Sequence, residues 1–283
     1  MKMMKKNLFL MGLMLLGMSL GVVSCGDDDD VVVDEFQEQT YSAWSKVVFA
    51  YGSMYDGDES IHVSKTIATF HSNTWGDGSF TISELTKNAD NSYTVKGEGK
   101  LTMAGHGGTK DYEATISGTI AVGVQTFVIS IPSVMGGTTI NATVGTIPAV
   151  AAVDGTYTGG TYADAKYFQK YQPTKDEKVV VKASEGYQAV TVNYTSETWG
   201  AFTFESVSVV SGESGAYTLS GEGKTVMPGM NGGDSKEYPA TFEGTIKEGT
   251  LVATFAVPSV MGGTTVYFNA EDFEQVYAAA NPE

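Results

Sequence analysis

The tetrapeptide GEGK occurs at residues 97–100 and again at 221–224. It supplies the most regular pairing of a carboxylate with an amine in this chain. In an extended backbone Glu98 and Lys100 project to one face, and so do Glu222 and Lys224. A carboxyl group steadied by a neighbouring lysine can act as a general acid or base. The same residues, set beside glycines, equally suit an outward ion pair where a sheet coils tightly. The outward pair is the expectation. The acids of YDGDES (Asp56, Asp58 and Glu59) read as a hairpin turn, the other reading being a weak calcium loop. His62, His71 and His106 form no close pair and no HExxH motif, and are expected on the surface or in a barrel wall. No GxSxG elbow is present, and Cys25 is the single cysteine. GHGG and MNGGD share glycine with phosphate loops but lack a strand-to-helix context. No catalytic residue, metal ligand or cofactor is assigned, and an enzyme is not expected.

Binding is better supported. GTYTGGTYADAKYFQKYQ crowds Tyr157, Tyr162, Tyr167, Phe168 and Tyr171 into one stretch. Rings with polar rims stack on sugar faces, and exposed rings mark partner sites. The same rings would also serve as barrel core and hairpin tip. Tyr162, Tyr167, Phe168 and Tyr171 are candidate ligand-binding residues. Met135 and Met261 join them from the duplicated octapeptide PSVMGGTT.

These residues sit behind an address. MKMMKK is a basic start, followed by an apolar run too brief for a membrane span, then VVSC. This resembles a bacterial lipoprotein signal, with residues 1–24 removed and Cys25 acylated. Several acyl chains give stable anchoring where one would be marginal. GDDDD follows within an acidic tether, residues 25–36. It resembles the signal that carries some lipoproteins to the outer cell surface, the periplasmic face being the alternative. Three of the 17 basic residues leave with the signal, so 14 lysines face 33 acids at a net charge near −19, and no arginine occurs. That balance disfavours nucleic acid and other anionic ligands.

The remaining chain is written twice. TWG at Thr74 recurs at Thr198, GEGK recurs at an offset of 124, and PSVMGGTT recurs at an offset of 126. The periodicity is two. In YPATFEGTIK, Tyr238, Ala240, Phe242, Gly244 and Ile246 share one face while the other is polar, as in a strand with one dry side. About eight short strands per repeat suggest an up-and-down barrel, which leaves no open edge. Residues 37–150 form barrel 1 and residues 151–283 barrel 2, ending in a short helix or tail around Phe273, Val276 and Tyr277. Residues 36–54 are expected as strand, because TYSAW at Thr40 aligns with TYTGG at Thr156. In PSVMGGTT a two-residue Gly-Gly turn would pair Ser133 with Ile140 and Ile131 with Ala142, and would point Met135 and Met261 inward at one mouth.

GTYTGG, DEKVVVKASEGY, TWGAFTFESVSV, YTLSGEGK and PATFEGTIKEGTLVATFAV resemble the calycin-like β-barrel domains of bacterial surface lipoproteins. The resemblance covers nearly all of the processed chain and implies an all-β protein of two tandem up-and-down eight-stranded calycin-like barrels. That family carries no catalytic set to transfer. The expected role is non-enzymatic binding by a lipoprotein of the outer membrane, with a glycan, a host protein or an envelope partner as target. The alternative is a carrier of a small apolar ligand within one or both barrels.

Overall fold

The computed structural model describes residues 35–105, 108–167, 174–228 and 233–269. The first repeat contributes β1 (Gln39–Phe49), β2 (Gly52–Val63), β3 (Ile67–Ser72), β4 (Gly76–Lys87), β5 (Tyr93–Gly105), β6 (Gly108–Ala121), β7 (Val124–Ile131) and β8 (Thr138–Val144). The second contributes β9 (Gly155–Ala165), β10 (Thr174–Ala183), β11 (Val190–Ser196), β12 (Gly200–Ser211), β13 (Tyr217–Met227), β14 (Lys236–Lys247), β15 (Thr250–Val257) and β16 (Thr264–Asn269). Each set of eight closes into an antiparallel barrel. β8 returns to β1 from Ala43↔Val144 to Val48↔Thr139. β16 returns to β9 from Thr264↔Ala165 to Asn269↔Gly160. Closure gives every strand two partners, so neither sheet has an edge.

Alternation drives the closure. In β14, Ala240, Phe242, Gly244 and Ile246 are buried while Thr241, Glu243, Thr245 and Lys247 face water, as the period of two requires. The stretch from residue 39 is strand, in accord with its alignment to the second repeat. Barrel 2 is filled by rings. Phe255 packs on Tyr194, Phe202 and Phe242 at centroid separations of 5.0, 5.3 and 5.2 Å. Barrel 1 is more aliphatic, with Ile61, Leu101, Ile116, Ile129 and Ile140 beside Phe70, Phe80 and Phe127.

The octapeptide closes each barrel, but in a different register from the expected one. Its strands end at Ile131↔Thr138 and Val257↔Thr264, with Ile129 opposite Ile140, so the connection is six residues long. Val134 N–H donates to Ile131 O at 3.3 Å and Gly137 N–H to Val134 O at 2.8 Å, giving two successive turns. Pro132 follows Ile131 in the first turn, where its missing N–H costs nothing. Met135, Gly136 and Gly137 all have positive φ. Met135 is therefore in the turn and 51% exposed, not directed inward. Its carbonyl accepts from Ala50 N–H at 3.2 Å, and the Met261 carbonyl accepts from Tyr167 N–H at 3.3 Å. Each octapeptide thus ties the last hairpin to the end of the first strand. The apolar phases still agree, because the observed register differs from the expected one by an even number of residues.

A helical turn, Ala149–Ala152, joins the repeats. Across the junction Tyr187, between β10 and β11, packs edge-on against Trp44 and Tyr55 of barrel 1, at 5.4 and 5.9 Å. The signal, Cys25, the acidic run and the expected C-terminal helix lie outside the described residues.

Candidate functional site

The mouth of barrel 2 that carries the octapeptide holds a cleft of about 610 Å³ lined by Thr198, Trp199, Met227, Tyr238, Val260 and Met261. That volume falls within the range of small-ligand sites. The TWG turn sets its floor. Ser196 Oγ accepts the N–H groups of Thr198 and Trp199 at 3.2 and 3.3 Å, fixing the turn after β11. Gly200 completes it at φ +83°, and a Cβ there would collide with the Val226 carbonyl. Trp199 is consequently buried, with Met227 and Tyr238 brought beside it by β13 and β14.

The structure gathers some of the expected ligand residues here and separates others. Met261 lines the cleft. Tyr167 stands at the same mouth, 69% exposed, beside Gly262 and with the Lys166 amine 5.6 Å from its ring. Tyr162 is buried on the outer wall, stacked on Tyr267 at 4.7 Å. Met135 belongs to the other barrel, and Phe168 and Tyr171 lie outside the described residues. Glu98 and Glu222 face outward. Their lysines pair across the sheet, Lys224 with Glu237 at 2.9 Å and Lys100 with Glu113 at 3.7 Å. His71 bonds Asp77 at 2.6 Å and His62 lies 3.3 Å from Glu38, both on the outer surface, while His106 is outside the described residues. Among the described residues no group of three or more His, Cys, Asp or Glu is placed to hold a metal ion.

A second cluster was not foreseen. Asp56, Asp58 and Glu59 do not form a turn; they lie within β2. The hairpin turn falls earlier, before Gly52, and a bulge intervenes in the strand. Ala43 pairs with Glu59 and Ser45 with Asp56, so Trp44 opposes two residues. Residues three apart share a face of a strand only across such an irregularity. Glu59 therefore enters barrel 1 with Asp56 beside it. Ser45 Oγ donates to Glu59 Oε1 at 2.6 Å, and Ser72 Oγ donates to Asp56 Oδ2 at 2.8 Å. Ser72 Oγ also accepts the Trp75 N–H at 2.9 Å, so the first TWG turn sits on the same cluster. Glu59 and Trp75 are each 4% exposed, and Glu59 Oε2 and Trp75 Nε1 have no hydrogen-bond partner among the described residues. Burial pushes the Glu59 carboxyl up to about 7, opposed by the Ser45 hydroxyl and reinforced by Asp56. The sequence signal for this site was the short polar run YDGDES, whose alternation is broken by the bulge.

The model of the calycin-like β-barrel domain matches residues 55–145 and 153–270. The chain belongs to that family, with two copies of its domain in tandem. A crystal structure of a putative outer membrane protein from Bacteroides fragilis superposes with a TM-score of 0.61 at 22% identity, covering 83% of this chain and 97% of that one. It shares the fold. No curated protein matches the chain.

Proposed function

We propose that this is a non-enzymatic binding protein of the bacterial envelope that holds a glycan at the mouth of barrel 2. It is anchored in the outer membrane through acylated Cys25 and displayed on the cell surface by its acidic tether. The observation that carries the reading is the cleft over Trp199, Met227, Tyr238 and Met261. Its apolar floor suits the face of a sugar ring, and Thr198, Ser259, Asp234 and Lys236 at its margin offer hydrogen bonds to hydroxyl groups. The rings filling barrel 2 favour the mouth over the interior as the place of binding in that barrel. A chain of this negative charge without arginine favours neutral sugars over phosphorylated or carboxylated ones. The envelope setting is supported by the lipoprotein-like leader and by the description of the Bacteroides fragilis neighbour.

The test is a glycan-array screen with the purified full chain, repeated with Tyr238→Ala and Met261→Ala. Retention of a defined glycan by the parent, lost in both variants, is expected. Absence of any retained glycan, or retention unaffected by both substitutions, would refute the reading. Cys25→Ser should release the protein from the membrane fraction, and incorporation of a labelled fatty acid should disappear with it.

A further inference from the structure

The two barrels were built from one duplicated unit, and they differ in one internal cluster in a way that has a chemical consequence. Register equates Ser45 and Asp56 of barrel 1 with Thr161 and Thr174 of barrel 2. It equates Glu59 with Glu177 and Phe70 with Tyr194. In barrel 2 the Thr161 and Thr174 hydroxyls bond each other at 2.5 Å, and the Tyr194 hydroxyl reaches Thr161 at 3.4 Å. Glu177 acts on Tyr194 and helps to hold its hydroxyl above the ordinary tyrosine range, so that carboxyl group has a phenol for a neighbour. In barrel 1 phenylalanine stands in place of Tyr194, and aspartate in place of Thr174. The cluster has lost a donor and gained an acid.

Its lining is also smaller on one side. Ala142 pairs with Ser45 where barrel 2 sets Phe268 against Thr161. The Phe127 ring beside Ala142 lies against Tyr41, at 5.8 Å, farther from this mouth. Gly78 replaces Phe202, but there Phe80 lies over the glycine, so the smaller lining is on the Ala142 side.

We propose that the mouth of barrel 1 binds a small organic ammonium, which donates to Glu59 Oε2 and lies beside Asp56 and Trp75. Among the described residues the carboxyl groups of the cluster are bonded to hydroxyls, not to cations, and they repel each other. Lys46, next in sequence to Ser45, extends over the Tyr55 ring on the outer face at 5.7 Å. His71 of β3 is likewise outside, held by Asp77. An ammonium supplies the missing charge and the missing donor together. The indole supplies a π face for the cation, and its free N–H suits an acceptor on the same ligand, as in an amino alcohol. A buried acceptor and a buried donor left open at one mouth are costly unless something completes them. Ammonium binding here does not depend on glycan binding at barrel 2.

Calorimetric titration of the full chain in detergent tests it, with methylamine and ethanolamine as probes and methanol and ethylene glycol as their neutral counterparts. The amines are expected to bind at one site and the neutral compounds not at all. Affinity should rise about tenfold from pH 6 to pH 8 as Glu59 ionises, the amines remaining protonated throughout. Glu59→Gln should weaken binding about tenfold or more. Phe70→Tyr, which restores the hydroxyl found in barrel 2, should weaken it as well while the fold is kept. Glu98→Gln, an outward carboxyl on β5, should leave binding unchanged. Equal binding of amines and neutral counterparts, full affinity in Glu59→Gln, or no amine binding at all would each overturn the proposal; the last would mean that water alone completes the cluster.

Discussion

The Ser45 hydroxyl donates to Glu59 Oε1 at 2.6 Å inside barrel 1, across a bulge that turns both side chains to the same interior. This one bond leaves the second carboxyl oxygen without a partner among the described residues, on a side chain 4% exposed. The consequence is a linkage between pH and stability. Glu59 titrates at about 7 in the folded barrel against 4.5 for an ordinary glutamate. The folded chain holds its proton more tightly than the unfolded one, so stability is fully present below the lower value and is lost as pH rises from 4.5 to about 7. Glu59→Gln has no such titration. Relative to the parent, the variant should gain about 2–3 kcal/mol between about pH 5 and about pH 8. Thermal unfolding at both pH values checks this, and a constant difference would count against the buried, raised carboxyl.

Phe255 is the centre of the barrel 2 core, within ring contact of Tyr194, Phe202, Phe204 and Phe242. Phe255→Ala should cost about 3–5 kcal/mol, because the surrounding rings cannot collapse into the space. Urea unfolding measures it. A loss below about 1 kcal/mol would mean that the interior is loosely filled.

Gly200 holds the TWG turn at φ +83°, with the Val226 carbonyl occupying the place a Cβ would need. Gly200→Ala should destabilise by more than about 1 kcal/mol and should also impair the cleft, since Trp199 is the preceding residue. The urea midpoint reports the first effect and the glycan screen the second. An unchanged midpoint would contradict the geometry of this turn.

Tyr187 joins the barrels through Trp44 and Tyr55. Tyr187→Ala should remove about 1–2 kcal/mol of coupling, two aromatic contacts of the edge-on kind. In scanning calorimetry the parent's transition should then broaden or split as the barrels unfold more independently. An unaltered transition would show that this cluster does not couple them.

Much of the architecture was legible in the chain because a period of two is a local property. Tyr238 to Lys247 alternates inward and outward as its composition dictates, and the duplication doubles every such signal. Even the octapeptide's role as closure followed from matching apolar phases. Its register did not, because three consecutive positive φ angles at Met135, Gly136 and Gly137 make a longer connection than a Gly-Gly turn. Met135 is exposed for that reason, while Met261 reaches a cleft whose other walls come from Thr198, Met227 and Tyr238.

By itself the sequence determined an all-β chain, a repeated unit and a strongly negative charge, all properties of composition, alternation and self-comparison. Only the tertiary structure decided what the polar residues do. Closing β1 against β8 and bulging β2 carried Glu59 from an apparent surface turn into a buried site beside Ser45, Ser72 and Trp75. Those residues come from three successive strands and the turn after them, and the desolvation that changes the carboxyl's chemistry exists only once eight strands surround it.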